Sequence, residues 1–406
     1  MIKANPERAL RDLYHLRSIG TYKTGVHRPT LSEDDLVTRH WLVDELKAIG
    51  HEAWIDGIAN VISHTPAPGR KLLCGSHLES QNQAGWLDGA LGVVYALEAA
   101  RAVAEAGRTD VGVDVFAFAD EEGHFGSFTG SRSLTGELTE ADIDARADRT
   151  TGRPLRQALA EAGLSEVPRY RLDPKRYLGM LEAHIEQGDW LESQALQIGV
   201  VTSIVAIWQY KIVFEGVQNH AGTTRMAIRK DAGVALRRFC ERVEARFPEV
   251  CGERSVWTVG QINLIPGAPS IIPGRAEMTL QFRDADMETL LRLEQTVGEL
   301  VDEANAAGPC AVSWEVMNKN KPARMDDGIQ AALDAAGETY APGKHTRMPS
   351  GAGHDAQMMA QLMPAGMMFI PSIGGISHHW TENSSDEDIM RGAQVYVDAA
   401  ARLLDG

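Results

Sequence analysis

The apolar positions in the first third of the chain switch between helical and strand-like spacing. Apolar residues recur every three or four positions across 33–49, which predicts a helix that stops at Gly50. The apolar runs 71–74 and 111–118 predict two buried strands, and the alanine-rich segment 89–106 predicts a long helix between them. Strands that alternate with helices predict a parallel α/β sheet that is covered on both faces.

The pattern changes near residue 209 and changes back near residue 325. Between these points the spacing predicts, in order, strand 210–215, helix 230–246, strand 255–263, strand 275–284, helix 287–306 and strand 310–317. This βαββαβ order is that of a small ferredoxin-like domain. We therefore predict a discontinuous α/β domain, residues 1–208 and 326–406, that is interrupted by an inserted α+β domain, residues 209–325.

Two local patterns add detail to this prediction. Strand 275–284 alternates strictly, so its apolar and polar side chains should face opposite sides of the sheet. The apolar set is Ala276, Met278, Leu280 and Phe282, and the polar set is Glu277, Thr279, Gln281 and Arg283. After residue 325 an apolar strand, 366–370, precedes a terminal helix in which Ser385 and Asp388 look like a capping pair.

Composition and charge exclude several classes of function. The 406 residues include 40 Lys+Arg and 56 Asp+Glu, a net charge of −16, which argues against nucleic acid or an anionic membrane surface as a partner. No apolar run reaches the roughly 20 residues that a membrane span needs. The cysteines Cys74, Cys240, Cys251 and Cys310 form no C-x-x-C pair, which favours reduced thiols and a cytoplasmic location.

Histidines and carboxylates fall where the predicted strands end. His77 closes the first strand, Asp88 opens the long helix, and Glu121 and Glu122 follow the second strand. Ligand sites in open α/β sheets lie at the carboxyl ends of strands, so these side chains could converge there. Imidazoles and carboxylates together suit zinc or a related divalent metal. The residues alone leave two interpretations open, a metal site or an ordinary solvated loop and turn.

Several longer motifs carry a resemblance to a known family. In chain order they are GSHLES with LDG, DEEG followed by GSR, LEAHIEQG, NHAGTTRM, IIPG followed by FRD, SGAGHDA and GGISHHWTE. Through them the chain resembles, almost end to end, the hydantoinase/carbamoylase group of M20-type amidohydrolases. That group includes N-carbamoyl-L-amino-acid hydrolases, β-ureidopropionases and allantoate amidohydrolases.

The resemblance implies two divalent metal ions per subunit, with Zn²⁺ expected and Mn²⁺, Co²⁺ or Ni²⁺ as alternatives. It implies that His77 and His184 bind one ion, that Glu122 and His378 bind the other, and that Asp88 bridges the two.

Further roles follow from the same resemblance. Glu121 is expected to be the general base, and Arg283 to hold a substrate carboxylate. His220 is expected to reach the partner subunit's site in a homodimer formed by the inserted domain, which also acts as a lid, and to stabilise the tetrahedral oxyanion there. His354 and Gln187 are expected to contact substrate.

The sequence departs from the family pattern at several positions. Glu79 stands where the family has an aspartate behind the first histidine, and its longer carboxylate can still orient His77, but with a different reach. The loop 80–86 lacks the family's usual threonine and proline. Ser270, expected beside Arg283, stands where the family has a substrate-contacting asparagine, and it therefore bears on the identity of the substrate.

Three functions follow in order of preference. The first is a dimetal amidohydrolase that cleaves the carbamoyl or ureido C–N bond of a small substrate bearing a carboxylate. The second is an M20-type peptidase or N-acyl amino-acid hydrolase that uses the same site. The third is a non-catalytic small-molecule binding protein, against which the complete set of candidate ligands argues.

Overall fold

The computed structural model describes residues 2–406, and their backbone divides into two compact units. The first unit comprises the chain up to Ser203 together with Arg324–Gly406, and the second unit comprises Ile204–Ala323. The strands are β1 (Thr21–Tyr22), β2 (Gly25–Val26), β3 (Glu52–Ile55), β4 (Val61–His64), β5 (Lys71–His77), β6 (Val113–Phe118), β7 (Tyr177–Ile185), β8 (Ile198–Ile204), β9 (Ala206–Glu215), β10 (Asn219–His220), β11 (Val256–Ile265), β12 (Ile271–Ile272), β13 (Arg275–Asp284), β14 (Ala311–Lys319), β15 (Ala323–Arg324), β16 (His345–Ser350) and β17 (Ala365–Ile370). The helices are α1 (Pro6–Arg17), α2 (Glu33–Ala48), α3 (Ala90–Glu105), α4 (Thr129–Thr135), α5 (Glu140–Ala145), α6 (Leu155–Glu161), α7 (Trp190–Ser193), α8 (Ala232–Val250), α9 (Met287–Ala307), α10 (Asp327–Tyr340), α11 (Asp355–Met359) and α12 (Asp386–Asp405).

The main sheet of the first unit is mixed, so the prediction of a parallel sheet is wrong at its margins. Its strand order is β15-β8-β17-β7-β5-β6-β4-β3, with β16 paired to β8. The four central strands, β17, β7, β5 and β6, are parallel, whereas β8, β4 and β3 run antiparallel to their neighbours. For β3 and β4 the reason is the short connection between them, because parallel neighbours need a crossover of a dozen or more residues.

Helix α3 lies at the centre of the first unit's core. It packs against β5, β6 and β7, and nearly all of its residues are buried. Its alanine-rich sequence lets strands and helices approach it from several sides, which matches the rule that a helix apolar all round is a buried one. At the end of the chain, α12 begins as predicted, since the Ser385 hydroxyl accepts the N–H of Asp388 at 3.0 Å.

The second unit is an antiparallel sheet covered on one face by two helices. The strand order is β11-β13-β9-β14, and α8 and α9 pack against this sheet and each other. Strand β13 alternates as predicted, with Ala276, Met278, Leu280 and Phe282 buried beneath the helices. The two short strands β10 and β12 form a separate antiparallel ribbon.

No helix among residues 2–406 has the length and apolar character needed to cross a membrane.

Candidate metal centre

Five side chains of the first unit meet at the carboxyl ends of its central strands. His77 is the last residue of β5, His184 is the penultimate residue of β7, and Glu122 follows β6. Because β7, β5 and β6 are parallel neighbours, these ends lie at one edge of the sheet. Asp88 precedes α3, and His378 lies in the loop between β17 and α12.

Asp88 stands between two groups of potential ligands. Its Oδ1 lies 3.4 Å from Nε2 of His77 and 3.1 Å from Nε2 of His184. Its Oδ2 lies 3.4 Å from Nε2 of His378, which is itself 3.6 Å from Oε2 of Glu122. Within each group of three the donor atoms lie within 4.8 Å of one another, so either group could hold one metal ion.

Hydrogen bonds made by Nδ1 fix how the imidazoles of His77 and His184 are oriented. Nδ1 of His77 donates to the backbone carbonyl of Glu79 at 3.1 Å, and Nδ1 of His184 donates to that of Ile185 at 2.9 Å, because a carbonyl can only accept. Nε2 of His184 also accepts the N–H of Gly89 at 3.2 Å. In the neutral imidazoles the Nε2 lone pairs therefore face the Asp88 carboxylate, which is the arrangement of metal-binding histidines.

The charges of the cluster also fit a cation. Burial lowers the pKa of His77, but its contact with Asp88 and the charge of Glu121 outweigh this and raise it well above the usual range. Oε1 of Glu122 is buried and has no hydrogen-bond partner among residues 2–406. A buried carboxylate oxygen without a donor is costly, and a cation would satisfy it.

The backbone around Asp88 is built for close approach. Gly89 has φ +70°, and a Cβ on it would lie 2.3 Å from Cε1 of His77, so only glycine fits there. Gln187 and His378 adopt positive φ angles of 59° and 56° without being glycine, which is a strained conformation that clusters at functional sites. The Gln187 amide donates to Oδ2 of Asp88 at 2.9 Å, so the structure brings this expected substrate contact to the cluster.

Glu121, the expected general base, lies beside the same cluster. Its Oε2 is 3.7 Å from Nε2 of His77, and its side chain is 11% exposed. Burial raises the pKa of Glu121 well above its usual range, His77 opposes this, and the neighbouring charge of Glu122 adds to it. The side chain can therefore hold a proton more readily than an exposed glutamate.

The carboxylate of Glu79 does not orient His77 in the structure, although the sequence left that role open to it. Oε1 of Glu79 is 4.0 Å from Nδ1 of His77, which is too long for a hydrogen bond. Instead Oε1 accepts the backbone N–H of Glu121 at 2.7 Å, and Oε2 accepts Nη2 of Arg39 at 2.6 Å. The longer side chain reaches past the imidazole to these donors.

His354 packs on the cluster from the side of α11. Its ring centroid is 4.7 Å from that of His184, and its Nε2 is 2.9 Å from the hydroxyl of Ser350. Burial, with the nearby His184, lowers the pKa of His354 well below its usual range, so this imidazole is neutral near pH 7.

The remaining expected site residues, His220, Ser270 and Arg283, belong to the second unit. His220 is exposed on β10, and its Nδ1 accepts the backbone N–H groups of Gly222 and Thr223 at 3.0 and 3.2 Å. These contacts place the proton of the neutral ring on Nε2, which is thereby a hydrogen-bond donor.

Ser270 lies beside His220 and not beside Arg283, so the expected pairing with Arg283 is wrong. The Ser270 carbonyl accepts the N–H of Ala221 at 2.9 Å, next to the β10–β12 ribbon. That ribbon extends from the Arg275 end of β13, whereas Arg283 lies eight residues further along the strand, about 27 Å away at the strand rise per residue. The expectation that these two residues lie together rested on the family resemblance alone.

Sequence reasoning missed two residues that position the cluster. Glu382 is buried, and its Oε1 accepts the N–H groups of Leu87 and Asp88 at 3.2 and 3.1 Å. Burial and the charge of Asp88 raise the pKa of Glu382 to about 8. Gln81 donates to Oε2 of Glu122 at 2.7 Å. Glu382 stands four residues after His378 in the GGISHHWTE motif, which is the one signal that could have found it.

Comparisons with known proteins find relatives along almost the whole chain. The model of peptidase family M20/M25/M40 matches residues 69–402. An N-carbamoyl-L-amino-acid amidohydrolase of Paenarthrobacter aurescens is 32% identical over 407 residues, covering 97% of each chain. An allantoate amidohydrolase of Bacillus subtilis (strain 168) is 32% identical over 386 residues, covering 91% of this chain and 92% of that protein.

A solved structure gives the same result. The crystal structure of an amidase of the hydantoinase/carbamoylase family from Burkholderia phymatum matches with a TM-score of 0.91 and 43% identity, covering 100% of this chain and 99% of that one. The resemblance expected from the sequence motifs is confirmed.

Proposed function

The chain belongs to the peptidase family M20/M25/M40, and from this premise we propose that it is a metal-dependent amidohydrolase. Its reaction is cleavage of the carbamoyl or ureido C–N bond of a small substrate that bears a carboxylate. The observation that carries the proposal is Asp88, whose two oxygens each face a separate group of potential ligands. The relatives named for N-carbamoyl-amino-acid and allantoate hydrolysis support the choice of bond.

The proposed metal ligands fall into the two groups that share Asp88. His77 and His184 would hold one ion, Glu122 and His378 the other, and Asp88 both, with Zn²⁺ as the expected metal and Mn²⁺, Co²⁺ or Ni²⁺ as alternatives. Bound divalent cations supply Lewis acidity, which polarises a carbonyl and makes water a stronger acid.

Glu121 is the proposed general base. Its carboxylate takes a proton from the attacking water and passes it to the leaving nitrogen, so that hydrolysis of a carbamoyl group yields an amino acid, carbon dioxide and ammonia. Burial raises the pKa of Glu121, which suits a group that must both accept and return a proton. Gln187 and His354, which contact Asp88 and His184, would bind the substrate beside it.

The second unit has the proposed role of a lid and dimerisation domain. A bidentate guanidinium such as that of Arg283 suits a substrate carboxylate, and Nε2–H of His220 suits a developing oxyanion. Because the two lie near opposite ends of β13, one small molecule cannot contact both from a single copy of the chain. If both bind one substrate, as proposed, they come from two copies of the chain, and His220 with Ser270 would complete the partner's site.

The edge of the second unit's sheet supports such a dimer. Strand β11 is an edge strand, and it exposes Val256, Ile262, Leu264 and Ile265. An apolar edge strand is a ready template for pairing with another chain. Across the described residues all four cysteines are free thiols, which suits the proposed cytoplasmic location.

The test is a substrate panel assayed with metal-loaded protein. N-carbamoyl amino acids, allantoate and ureidoglycolate should release ammonia, whereas N-acyl amino acids and dipeptides should react far more slowly. Preferred hydrolysis of dipeptides or N-acyl substrates would establish the alternative M20-type peptidase or acylase activity. Turnover of no compound, with tight binding of one, would make the chain a binding protein and overturn the proposal.

A further inference from the structure

Glu79 stands two residues after His77, but its side chain bonds to groups other than the proposed metal ligands. It is fully buried, and its two oxygens serve different partners. Oε1 accepts the backbone N–H of Glu121, and Oε2 accepts Nη2 of Arg39. The Glu79 carboxylate therefore links the loop after β6, which carries Glu121, to the buried Arg39.

The imidazole of His77 does not depend on this carboxylate. Its Nδ1 donates to the backbone carbonyl of residue 79, a group that any amino acid supplies. The 4.0 Å separation from Oε1 leaves the Glu79 side chain free to serve Glu121. The choice of glutamate at this position is thus explained by reach toward the loop after β6 and not by the metal ligand.

Arg39 fixes the far end of this connection. Its Nε lies 3.0 Å from both oxygens of Asp35 on the same helix, α2, and its Nη1 donates to the carbonyl of Ala59 at 2.8 Å. Asp35, Arg39 and Glu79 are all buried. Removing one member of a buried ion network leaves an uncompensated charge, so the network holds one geometry.

We propose that Glu79 is a positioning residue for Glu121, anchored by Arg39 and Asp35, and that it does not serve metal binding through His77. This inference rests on the proposed role of Glu121 as the base. An aspartate at position 79 would be shorter by one methylene, about 1.5 Å at the length of a carbon–carbon bond, and could not reach both donors. The backbone N–H of Glu121 would lose its acceptor, and the carboxylate of Glu121 would shift.

The test is Glu79→Asp, measured for turnover and for metal affinity. A misplacement of about 1 Å costs roughly 10²-fold, so we expect kcat to fall by about 10- to 100-fold with KM changed less than about threefold. Metal dissociation constants, from competition with a chromophoric chelator, should change less than about threefold. Metal binding weakened roughly 10- to 100-fold, with kcat restored by excess metal, is the result for an imidazole-orienting residue and would overturn the inference.

Two controls separate positioning from stability. Glu98→Asp is the matched variant, because Glu98 is also buried and also accepts one backbone N–H, from Asn5, and one arginine, Arg8. It should lower the melting temperature without lowering kcat. In a Glu121→Gln background Glu79→Asp should cost little further turnover, since both act through one group. Full additivity of the two losses would overturn the inference, and inactive wild-type enzyme would instead refute the proposed function.

Discussion

The two units present their candidate site residues in opposite ways. In the first unit, residues from distant parts of the chain converge on Asp88, and hydrogen bonds to backbone carbonyls and to Glu382 hold His77, His184 and Asp88 in place. In the second unit, His220 and Ser270 are exposed at the β10–β12 ribbon, and Arg283 lies near the far end of β13, in the four-stranded sheet. The first arrangement brings its candidate ligands together within one copy of the chain, whereas the second keeps His220 and Arg283 apart.

The largest effect should come from breaking the cluster at Asp88. Asp88→Asn removes a negative charge from both ligand groups, and losing several kcal/mol of Lewis-acid stabilisation corresponds to roughly 10³-fold or more in kcat/KM. Metal content by plasma mass spectrometry should fall with the activity. Asp114→Asn is the control, because it changes another buried carboxylate of the first unit, and this variant should keep the metal content of the wild type. Retention of two tightly bound ions by Asp88→Asn would contradict the bridging role.

Glu121→Gln should separate catalysis from metal binding. The amide has nearly the shape of the carboxylate but cannot take a proton, so turnover should fall by about 10²–10⁴-fold while both metals stay bound. Single-turnover ammonia release and metal analysis on the same preparation check this. Activity near that of the wild type would move the base to another residue.

Mixing two inactive variants should reveal whether the second unit works across copies. Glu121→Gln and His220→Ala are each expected to be inactive, but a hybrid dimer would have one intact site. After dissociation and reassembly in equal amounts, about one quarter of wild-type activity should return, since half the dimers are hybrids with one working site of two. No recovery despite confirmed subunit exchange would mean that His220 serves its own copy.

Arg283→Lys should damage substrate binding more than chemistry. A point charge cannot reproduce the bidentate guanidinium, and a charge-assisted contact is worth roughly 1.5–3 kcal/mol, or about 10- to 100-fold in kcat/KM. The loss should disappear for a substrate analogue whose carboxylate is replaced by an amide. An equal loss for both compounds would show that Arg283 does not bind the carboxylate.

Ser270→Asn should have the smallest effect and act on specificity. The family's asparagine offers an amide where this chain has one hydroxyl, so preference should move toward ordinary N-carbamoyl amino acids by about tenfold. The ratio of kcat/KM values across the substrate panel measures this. An unchanged ranking would direct attention to the loop 80–86.

Local signals in the sequence predicted much of the fold. The alternation of β13 and the Ser385 cap of α12 are set by neighbouring residues, so the chain alone predicts them. The antiparallel direction of β3 and β4 depends on how a short connection folds back, which apolar spacing does not record.

The same distinction applies to the candidate site. The residues that meet at Asp88 could be predicted because their motifs are distinctive. Glu382 and the true partners of Glu79 could not, because they serve backbone N–H groups far away in sequence, and a backbone donor leaves no trace in residue type. The misplaced pairing of Ser270 with Arg283 arose because a motif names residues without recording where the fold places them.

The most direct test of the account is anomalous diffraction from crystals of the zinc-loaded protein. The account predicts two peaks on either side of the Asp88 carboxylate, about 3.5–4 Å apart as in other two-metal sites. One peak would lie within reach of His77 and His184, and the other within reach of Glu122 and His378. A single peak, or peaks away from Asp88 at full zinc occupancy, would contradict the account.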